Sequence, residues 1–328
     1  MIRRPPRSTL SSSSAASDVY KRQPSRRLGL SLGINNIVSH KVCSYNCVYC
    51  QIGDTGKRLL KRDVFYEPGK MLEAIESHLN KLDKEHIPDY LTFVANGEPT
   101  LDINLGKEIQ LLKKFNIPVA VISNASHMDD PEVRKDLMKA DWVSVKVDTV
   151  SEDIWKKINR PLDGIGLNNI LHGIIVFAAE YNGKLHTETM LIKGLNDAPE
   201  VMKDTASFIG LLKPKKAYLS IPTRPPAVKE VKPIPEERIA EAWQIYQQEG
   251  IKTELLTGFE GTNTGFTGNV FEDILNIAAV HPLREDTMAE LLKQDKADES
   301  VVKSLIKQGL IKKSTYNGKT YYIRKYHF

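Results

Sequence analysis

Outside one short segment the chain has no cysteine. Its 328 residues contain three, and all of them lie between positions 43 and 50. Such sparing use argues against a disulfide-stapled extracellular protein and is typical of a reducing compartment. No uninterrupted apolar run approaches the roughly 18 residues of a membrane-spanning helix. These absences predict a cytoplasmic protein without a membrane partner.

The first 23 residues differ from the rest in composition. They are rich in Ser, Arg and Pro, and they lack the apolar stretch of roughly 7 to 15 residues that a signal peptide needs. We interpret residues 1–23 as a disordered tail of non-native sequence, with a disordered native tail as the alternative. With five basic residues and one acidic residue they carry +4 of the net charge of +5, so the remainder is nearly neutral. Overall charge is therefore weak support for a nucleic-acid partner.

From residue 24 to 257 short β-branched runs alternate with longer amphipathic stretches, which predicts a parallel α/β sheet with right-handed crossovers. This alternation of strands and helices fits both a doubly wound open sheet and a partial (β/α)6 barrel. The predicted strands are Leu30–Val38, Leu91–Ala95, Val119–Ser123, Trp142–Val147, Glu188–Ile192 and Ala217–Ile221, with Lys252–Leu256 finishing the core. The predicted helices are Gly69–Lys84, Leu105–Phe115, Pro131–Ala140, Leu167–Tyr181, Pro199–Leu212 and Glu236–Glu249.

After a Gly/Thr-rich linker at residues 258–269, residues 270–328 predict a small winged-helix domain. Three helical stretches precede two β-rich runs, and Asn317-Gly318 between these runs is a strong hairpin signal. Residues 301–328 hold seven Lys or Arg and no Asp or Glu, with tyrosines interleaved. That composition favours a nucleic-acid surface. The alternative is a solvated wing that packs on the core or on a partner.

The three cysteines form a C-x3-C-x2-C pattern directly after the first predicted strand of the core. One loop can bring Cys43, Cys47 and Cys50 to a single point, and thiolates are the ligands that iron–sulfur clusters use. Three protein ligands would leave one iron of a four-iron cluster open, and an open coordination position is where chemistry happens. The alternative is a zinc site with His40 as fourth ligand, which would make the chain a zinc-binding interaction protein.

Polar residues also follow the other predicted strands, at the edge where the functional loops of a barrel lie. Gly97 lets the backbone approach a ligand, and alternation places three polar residues of the fourth strand on one face. These candidates are Asn96, Gly97, Glu98 and Pro99 after the second strand, Ser123 and Asn124 after the third, Ser144, Lys146 and Asp148 on the fourth, and Arg224 after the sixth. The alternatives are a simple turn for Asn96–Pro99, a structural ion pair for Lys146 and Asp148, and a domain-boundary ion pair for Arg224.

The cysteine spacing, with the aromatic Tyr49 before the last cysteine, resembles the radical S-adenosylmethionine (SAM) superfamily. The resemblance implies a partial (β/α)6 TIM-like barrel, a [4Fe-4S] cluster on the three cysteines, SAM as second cofactor, and a reductant such as flavodoxin or ferredoxin. It implies that Asn96–Pro99 corresponds to the superfamily's Gly-Gly-Glu motif, which binds the SAM amino group, although Asn96 replaces the first glycine. It also implies a ribose or substrate shell at Ser123, Asn124, Ser144, Lys146 and Asp148.

More narrowly, the chain resembles uncharacterised radical SAM proteins with a C-terminal winged helix, which are grouped with wyosine-type tRNA-modifying enzymes. The wyosine synthases use a second cluster with three further cysteines, and this chain has none, which disfavours that reaction. The resemblance implies hydrogen abstraction by a 5′-deoxyadenosyl radical. Lys146, Asp148 and Arg224 are the weak catalytic candidates. RNA bound through residues 301–328 is the expected substrate, and a peptide or small metabolite is the alternative.

Overall fold

A computed structural model describes residues 20–25, 27–37, 41–82, 87–257, 270–280, 282–316 and 318–324. Residues 1–19, which make up most of the predicted tail, and the predicted linker at 258–269 lie outside the described residues. In the part of the chain that is described, no helix combines the length and the apolar character needed to cross a membrane.

The core of the protein is one curled, mainly parallel sheet with helices on its outer face. Its strands, together with a short pair in the cysteine loop, are β1 (Tyr20–Ser25), β2 (Gly29–Ile34), β3 (Val42–Cys43), β4 (Lys57–Arg58), β5 (Tyr90–Phe93), β6 (Val119–Ser123), β7 (Trp142–Lys146), β8 (Lys184–Met190), β9 (Lys216–Ser220) and β10 (Thr253–Leu256). Its helices are α1 (Pro68–Leu79), α2 (Leu105–Leu112), α3 (Pro131–Leu137), α4 (Glu152–Asn159), α5 (Leu167–Glu180), α6 (Pro199–Leu212) and α7 (Glu236–Gln248).

The strand order decides between the two architectures that the sequence left open. The eight-stranded sheet runs β1-β2-β5-β6-β7-β8-β9-β10, and every pairing from β2 to β10 is parallel. A doubly wound sheet reverses its strand order at a switch point, whereas this order never reverses. The sheet is therefore a partial barrel, as predicted, and the carboxyl ends of its parallel strands share one edge.

Local sequence explains where several helices begin. Glu67 caps α1 by accepting from the Gly69 and Lys70 N–H groups, with Pro68 at the first helical position. Asp130 caps α3 in the same way by accepting from the Glu132 N–H. The apolar faces of these helices pack on the sheet, and the main core is continuous from β2 to α7.

Two features of the core differ from the predictions. Residues 20–23 belong to β1, which pairs antiparallel with β2, so the predicted boundary of a disordered tail at residue 23 is wrong. Helix α4 was not predicted, because it lacks a start signal such as the Asp130-Pro131 of α3 and its buried apolar side chains are only Trp155 and Ile158. This helix lies beside the site described below.

Residues 270–324, here called the C-terminal unit, have their own small core. They form α8 (Val270–Val280), β11 (Leu283–Arg284), α9 (Glu285–Gln294), α10 (Glu299–Lys307), β12 (Ile311–Tyr316) and β13 (Lys319–Arg324). The three strands make an antiparallel sheet in the order β11-β13-β12, and the helices cover it around Ile274, Leu291 and Leu305. The predicted elements are present, with β11 as an unpredicted addition.

We expect the central strands to hold the barrel together. Leu91 of β5 is fully buried, so Leu91→Ala removes buried methyl groups and leaves a cavity. Its cost should be about 2–5 kcal/mol of unfolding free energy. Leu255 of the edge strand β10 is 38% exposed, and Leu255→Ala should cost under about 1 kcal/mol. Urea titration of the two variants checks this, and equal losses would contradict the assigned core.

Candidate functional site

The cysteine loop begins at β3 and carries all three thiols on one tightly turned segment. Cys43 and Cys47 are buried and Cys50 is half-buried. The Cys50 N–H donates to the Cys47 carbonyl at 3.0 Å, and the Gly53 N–H donates to the Cys50 carbonyl at 3.1 Å. The positive φ of Gly53, 91°, suits the end of this turn. Successive turns thus carry Cys47 and Cys50 away from β3.

The segment Asn96–Pro99 clamps the start of this loop. The Val42 N–H donates to the Asn96 carbonyl at 2.9 Å, and the Glu98 N–H donates to the Val42 carbonyl at 3.1 Å. Gly97 between them has a φ of 133°, and a Cβ placed on it would lie 1.6 Å from the Val42 carbonyl oxygen. Only glycine allows this contact, so Gly97 fixes Cys43 against the end of β5.

Glu98 joins this clamp to the next strand of the barrel. Its Oε1 accepts from the Thr100 N–H at 3.1 Å and from the Thr100 and Ser123 hydroxyls at 2.7 Å each. Its Oε2 accepts from the Asn124 N–H at 2.7 Å. Burial raises the pKa of Glu98, and these hydrogen bonds oppose the rise. The carboxylate therefore ties the end of β5 to the loop after β6, a role that the sequence did not show.

The thiols have two amide neighbours, and the Lys41 ammonium lies close enough to interact with all three sulfurs. The Asn124 Nδ2 lies 3.1 Å from the Cys43 Sγ, and the Asn159 Nδ2 lies 3.4 Å from the Cys47 Sγ. Burial raises the pKa of the Cys43 thiol far above its ordinary value, and it raises the pKa of Cys47 to about 11. Without a metal Cys43 and Cys47 are therefore neutral thiols, and a soft metal would displace their protons.

Three thiols on one loop are a fitting donor set for an iron–sulfur cluster. Among the described residues no three His, Cys, Asp or Glu side chains are gathered closely enough to hold a single metal ion. A [4Fe-4S] cluster requires a wider arrangement, because each cysteine binds a different iron. His40, the fourth ligand in the zinc alternative, lies outside the described residues.

A cleft lies against this loop, and its space, open solvent included, is about 1310 Å³. The carboxyl ends of several barrel strands form its wall. The predicted residues that line it are Cys43, Cys47, Tyr49, Cys50, Gly97, Glu98, Ser123, Asn124, Ser144, Lys146 and Arg224. Asn96, Pro99 and Asp148 are not among its lining residues. The Ser144 hydroxyl and the Asn96 Oδ1 are buried without a hydrogen-bond partner among the described residues.

Lys146 pairs with Glu188 rather than with Asp148, so the predicted alternative of a Lys146–Asp148 ion pair is wrong. The Lys146 Nζ lies 3.0 Å from the Glu188 Oε1, which also accepts from the Ser220 hydroxyl at 3.0 Å, and Arg27 pairs with the Glu188 Oε2. Burial would raise the pKa of Glu188, but Lys146 and Arg27 hold it well below its ordinary value. The cluster therefore holds one negative and two positive charges.

Asp148 instead joins the cysteine loop to α4. Its Oδ2 accepts from the Tyr49 hydroxyl at 2.6 Å and from the Asn159 Nδ2 at 2.8 Å, and its Oδ1 accepts from the Met190 N–H at 2.9 Å. The Lys146 Nζ lies 4.9 Å from the centre of the Tyr49 ring. Tyr49 is thereby fixed between the two polar clusters.

Sequence reasoning missed Glu188, Asn159 and Asn35. Glu188 follows Lys146 by one β/α unit, so a search for a buried partner at strand ends could have found it. Asn159 stands on the unpredicted helix α4. Asn35 carries no motif signal, yet its Oδ1 accepts from the Asn96 N–H at 2.9 Å and supports the clamp.

The partial barrel and the cysteine loop at its carboxyl edge define a class of protein, and comparison with known proteins places the chain in it. Residues 37–208 match the family described as the radical SAM superfamily. The UPF0026 protein MJ1312 of Methanocaldococcus jannaschii is 45% identical over 303 residues, which cover 92% of this chain and 94% of that protein. The chain belongs to the radical SAM superfamily, whose members use a [4Fe-4S] cluster and SAM.

Solved structures show the same fold. A radical SAM methyltransferase from Sphaerobacter thermophilus aligns with a TM-score of 0.52 at 15% identity, over 70% of this chain and 66% of that chain. A structure of TYW1 with a lysine-pyruvate adduct bound aligns with a TM-score of 0.51 at 17% identity, over 66% of this chain and 73% of that chain. The predicted resemblance to the superfamily and the predicted half-barrel are confirmed.

Gly97→Ala should break the clamp, because the new Cβ would overlap the Val42 carbonyl. We expect a loss of about 3 kcal/mol of unfolding free energy and little cluster uptake. Gly194→Ala is the matched control, since Gly194 has a φ of 75° but no atom within 4 Å of the added Cβ. It should cost about 1 kcal/mol from backbone strain alone. Thermal unfolding and iron content after reconstitution measure both effects, and equal behaviour of the two variants would refute the clamp.

Proposed function

We propose that Cys43, Cys47 and Cys50 hold a [4Fe-4S] cluster whose fourth iron is left for SAM. The observation that carries this is the lining of the cleft, where all three thiols of the cysteine loop stand together and the clamp holds the first of them, Cys43, in place. When bound, the cluster supplies one electron to the sulfonium of SAM, so that the C–S bond breaks homolytically into methionine and a hydrogen-abstracting 5′-deoxyadenosyl radical. A flavodoxin or ferredoxin would provide the electron.

The remaining residues of the cavity orient SAM and keep water out. Asn96–Pro99 presents backbone groups beside Cys43, and the Glu98 carboxylate keeps that backbone in place. The buried Ser144 hydroxyl of the cavity wall supplies a polar atom that can pair with a ligand. Ser123, Asn124 and Lys146 complete the shell, and Asp148 acts from outside the wall by holding the Tyr49 hydroxyl.

Anaerobic reconstitution with iron and sulfide tests this function. The wild-type chain should take up about four iron atoms and about four sulfides. With a reductant and SAM it should release 5′-deoxyadenosine and methionine. Replacing Cys43, Cys47 and Cys50 together by Ala should abolish both. A chain that binds only zinc and leaves SAM intact would instead be the zinc-binding interaction protein.

Glu98→Gln separates the role of the carboxylate from that of the cysteines. The NH2 group of a glutamine would replace one of the two carboxylate oxygens, so it would face either the Ser123 hydroxyl or the Asn124 N–H, both of which now donate to Glu98. We expect SAM affinity to fall about tenfold, since about 1.4 kcal/mol is the size of a lost hydrogen bond to a charged group. Cluster content should stay unchanged. Equilibrium dialysis with labelled SAM gives the affinity, and an unaltered affinity would remove Glu98 from the SAM shell.

We propose RNA as the substrate, with the C-terminal unit as a winged helix that grips it. Lys307, Lys312 and Lys319 of this unit are exposed and can contact phosphates. Glu299 at the start of α10 is also exposed and would repel phosphate there, so we place the grip on the wing and the C-terminal end of α10, not on the start of α10 in a groove. A peptide or small metabolite is the alternative substrate.

The three lysines give this proposal a test. Fluorescence anisotropy of the full chain with tRNA should show salt-sensitive binding, and changing Lys307, Lys312 and Lys319 to Ala should lower the log–log salt slope by about 2 to 3. Changing the equally exposed Lys70, Lys107 and Lys135 on the barrel helices α1 to α3 removes the same charge and should leave the slope unchanged. Absence of tRNA binding at low salt would favour the peptide or small-metabolite alternative.

A further inference from the structure

The C-terminal unit contacts the barrel through two tyrosines of its hairpin. The Tyr321 hydroxyl donates to the Thr223 carbonyl at 2.8 Å. The Tyr316 hydroxyl lies 3.3 Å from the Pro222 carbonyl oxygen and 3.4 Å from that of Val231. Tyr321 is only 5% exposed, while its neighbour Tyr322 packs in the unit's own core. Both faces of β13 are therefore covered.

The accepting carbonyls belong to residues 222–231, here called the connecting segment. This segment follows β9 and contains no helix or strand. Backbone groups in such a segment need partners from elsewhere in the protein. Tyr321 donates to one of its carbonyls, and the one hydroxyl proton of Tyr316 lies between two others. The conformation of the connecting segment thus depends on the C-terminal unit.

The connecting segment in turn touches the cysteine loop at two places. The Val228 N–H donates to the Val48 carbonyl at 3.0 Å, midway between Cys47 and Cys50. The Arg224 Nη1 donates to the Gln51 Oε1 at 2.8 Å, directly after Cys50. Val231 and Val48 also share one small apolar cluster. The Cys47–Cys50 half of the cysteine loop, which the Gly97 contact does not hold, is thus supported by the connecting segment.

We propose that Tyr316 and Tyr321 are positioning residues, which hold the connecting segment so that it supports the peptide carrying Cys47 and Cys50. The C-terminal unit is then a structural part of the cysteine site, in addition to its proposed contact with RNA. That this support stabilises a bound cluster rests on the proposed function. The support of the Cys47–Cys50 peptide itself does not need a cluster. Tyr321 accordingly has its aromatic ring and hydroxyl engaged inside the protein, so it is not a stacking residue for nucleic acid.

Hydrogen exchange of the metal-free chain tests the support. Tyr321→Phe and Tyr316→Phe each remove a hydroxyl donor while keeping the ring. Exchange of the Val228 and Gly53 amides should become about two- to tenfold faster, the range expected for one lost hydrogen bond. Tyr322→Phe is the matched control, because its ring lies in the core of the C-terminal unit, and it should leave these two amides unchanged. Faster exchange confined to residues 283–324, or none, would overturn the proposal.

Chelator challenge of the reconstituted protein gives the second readout. Iron should leave Tyr321→Phe about two- to tenfold faster than it leaves the wild type or Tyr322→Phe, because the Cys47–Cys50 half of the loop opens more often. Equal rates in all three would show that the support does not reach the cysteines. If the wild type takes up no cluster, the proposed function fails, and amide exchange alone then decides the positioning role.

Discussion

The site depends on one close backbone contact, between Gly97 and the carbonyl of Val42. Val42 donates a backbone hydrogen bond to Asn96 and accepts one from Glu98, and these two bonds hold β3 at the end of β5. The backbones are so close that no side chain fits at position 97. Since β5 is an inner strand of the barrel, the sheet determines the position of Cys43, which does not depend on a free loop. A cofactor bound there would be oriented before any substrate arrives.

The charged side chains at the ends of β7 and β8 are each paired or hydrogen-bonded. Glu188 holds two cations, Lys146 and Arg27, and Asp148 is satisfied by Tyr49 and a backbone N–H. Buried charges of this kind are tolerated only when they are paired and hydrogen-bonded. These pairs also fix the side chains on β7 and β8, so the polar wall of the cavity is rigid. A rigid wall suits chemistry in which the protein orients a cofactor and excludes water.

The sequence predicted the alternation of strands and helices, and the cysteine spacing and Asn96–Pro99 pointed to the correct edge of the barrel. It could not show partners that come from distant positions. Lys146 and Asp148 alternate on one strand, which suggested a pair, but the partner of Lys146 lies 42 residues away on β8. Helix α4 has no start signal such as the Asp130-Pro131 of α3, which hid Asn159. The tyrosine-rich hairpin resembled a ligand surface because composition cannot reveal that Tyr321 is covered by residue 223.

The central claim is that three cysteines leave one iron open and that SAM binds it. Electron–nuclear double resonance of the reduced, reconstituted chain tests this most directly, using SAM with a 15N-labelled amino group. The account predicts a 15N hyperfine coupling that appears only when labelled SAM is present and disappears when unlabelled SAM replaces it. A four-iron signal that SAM leaves unchanged, with no nitrogen coupling, would contradict the account.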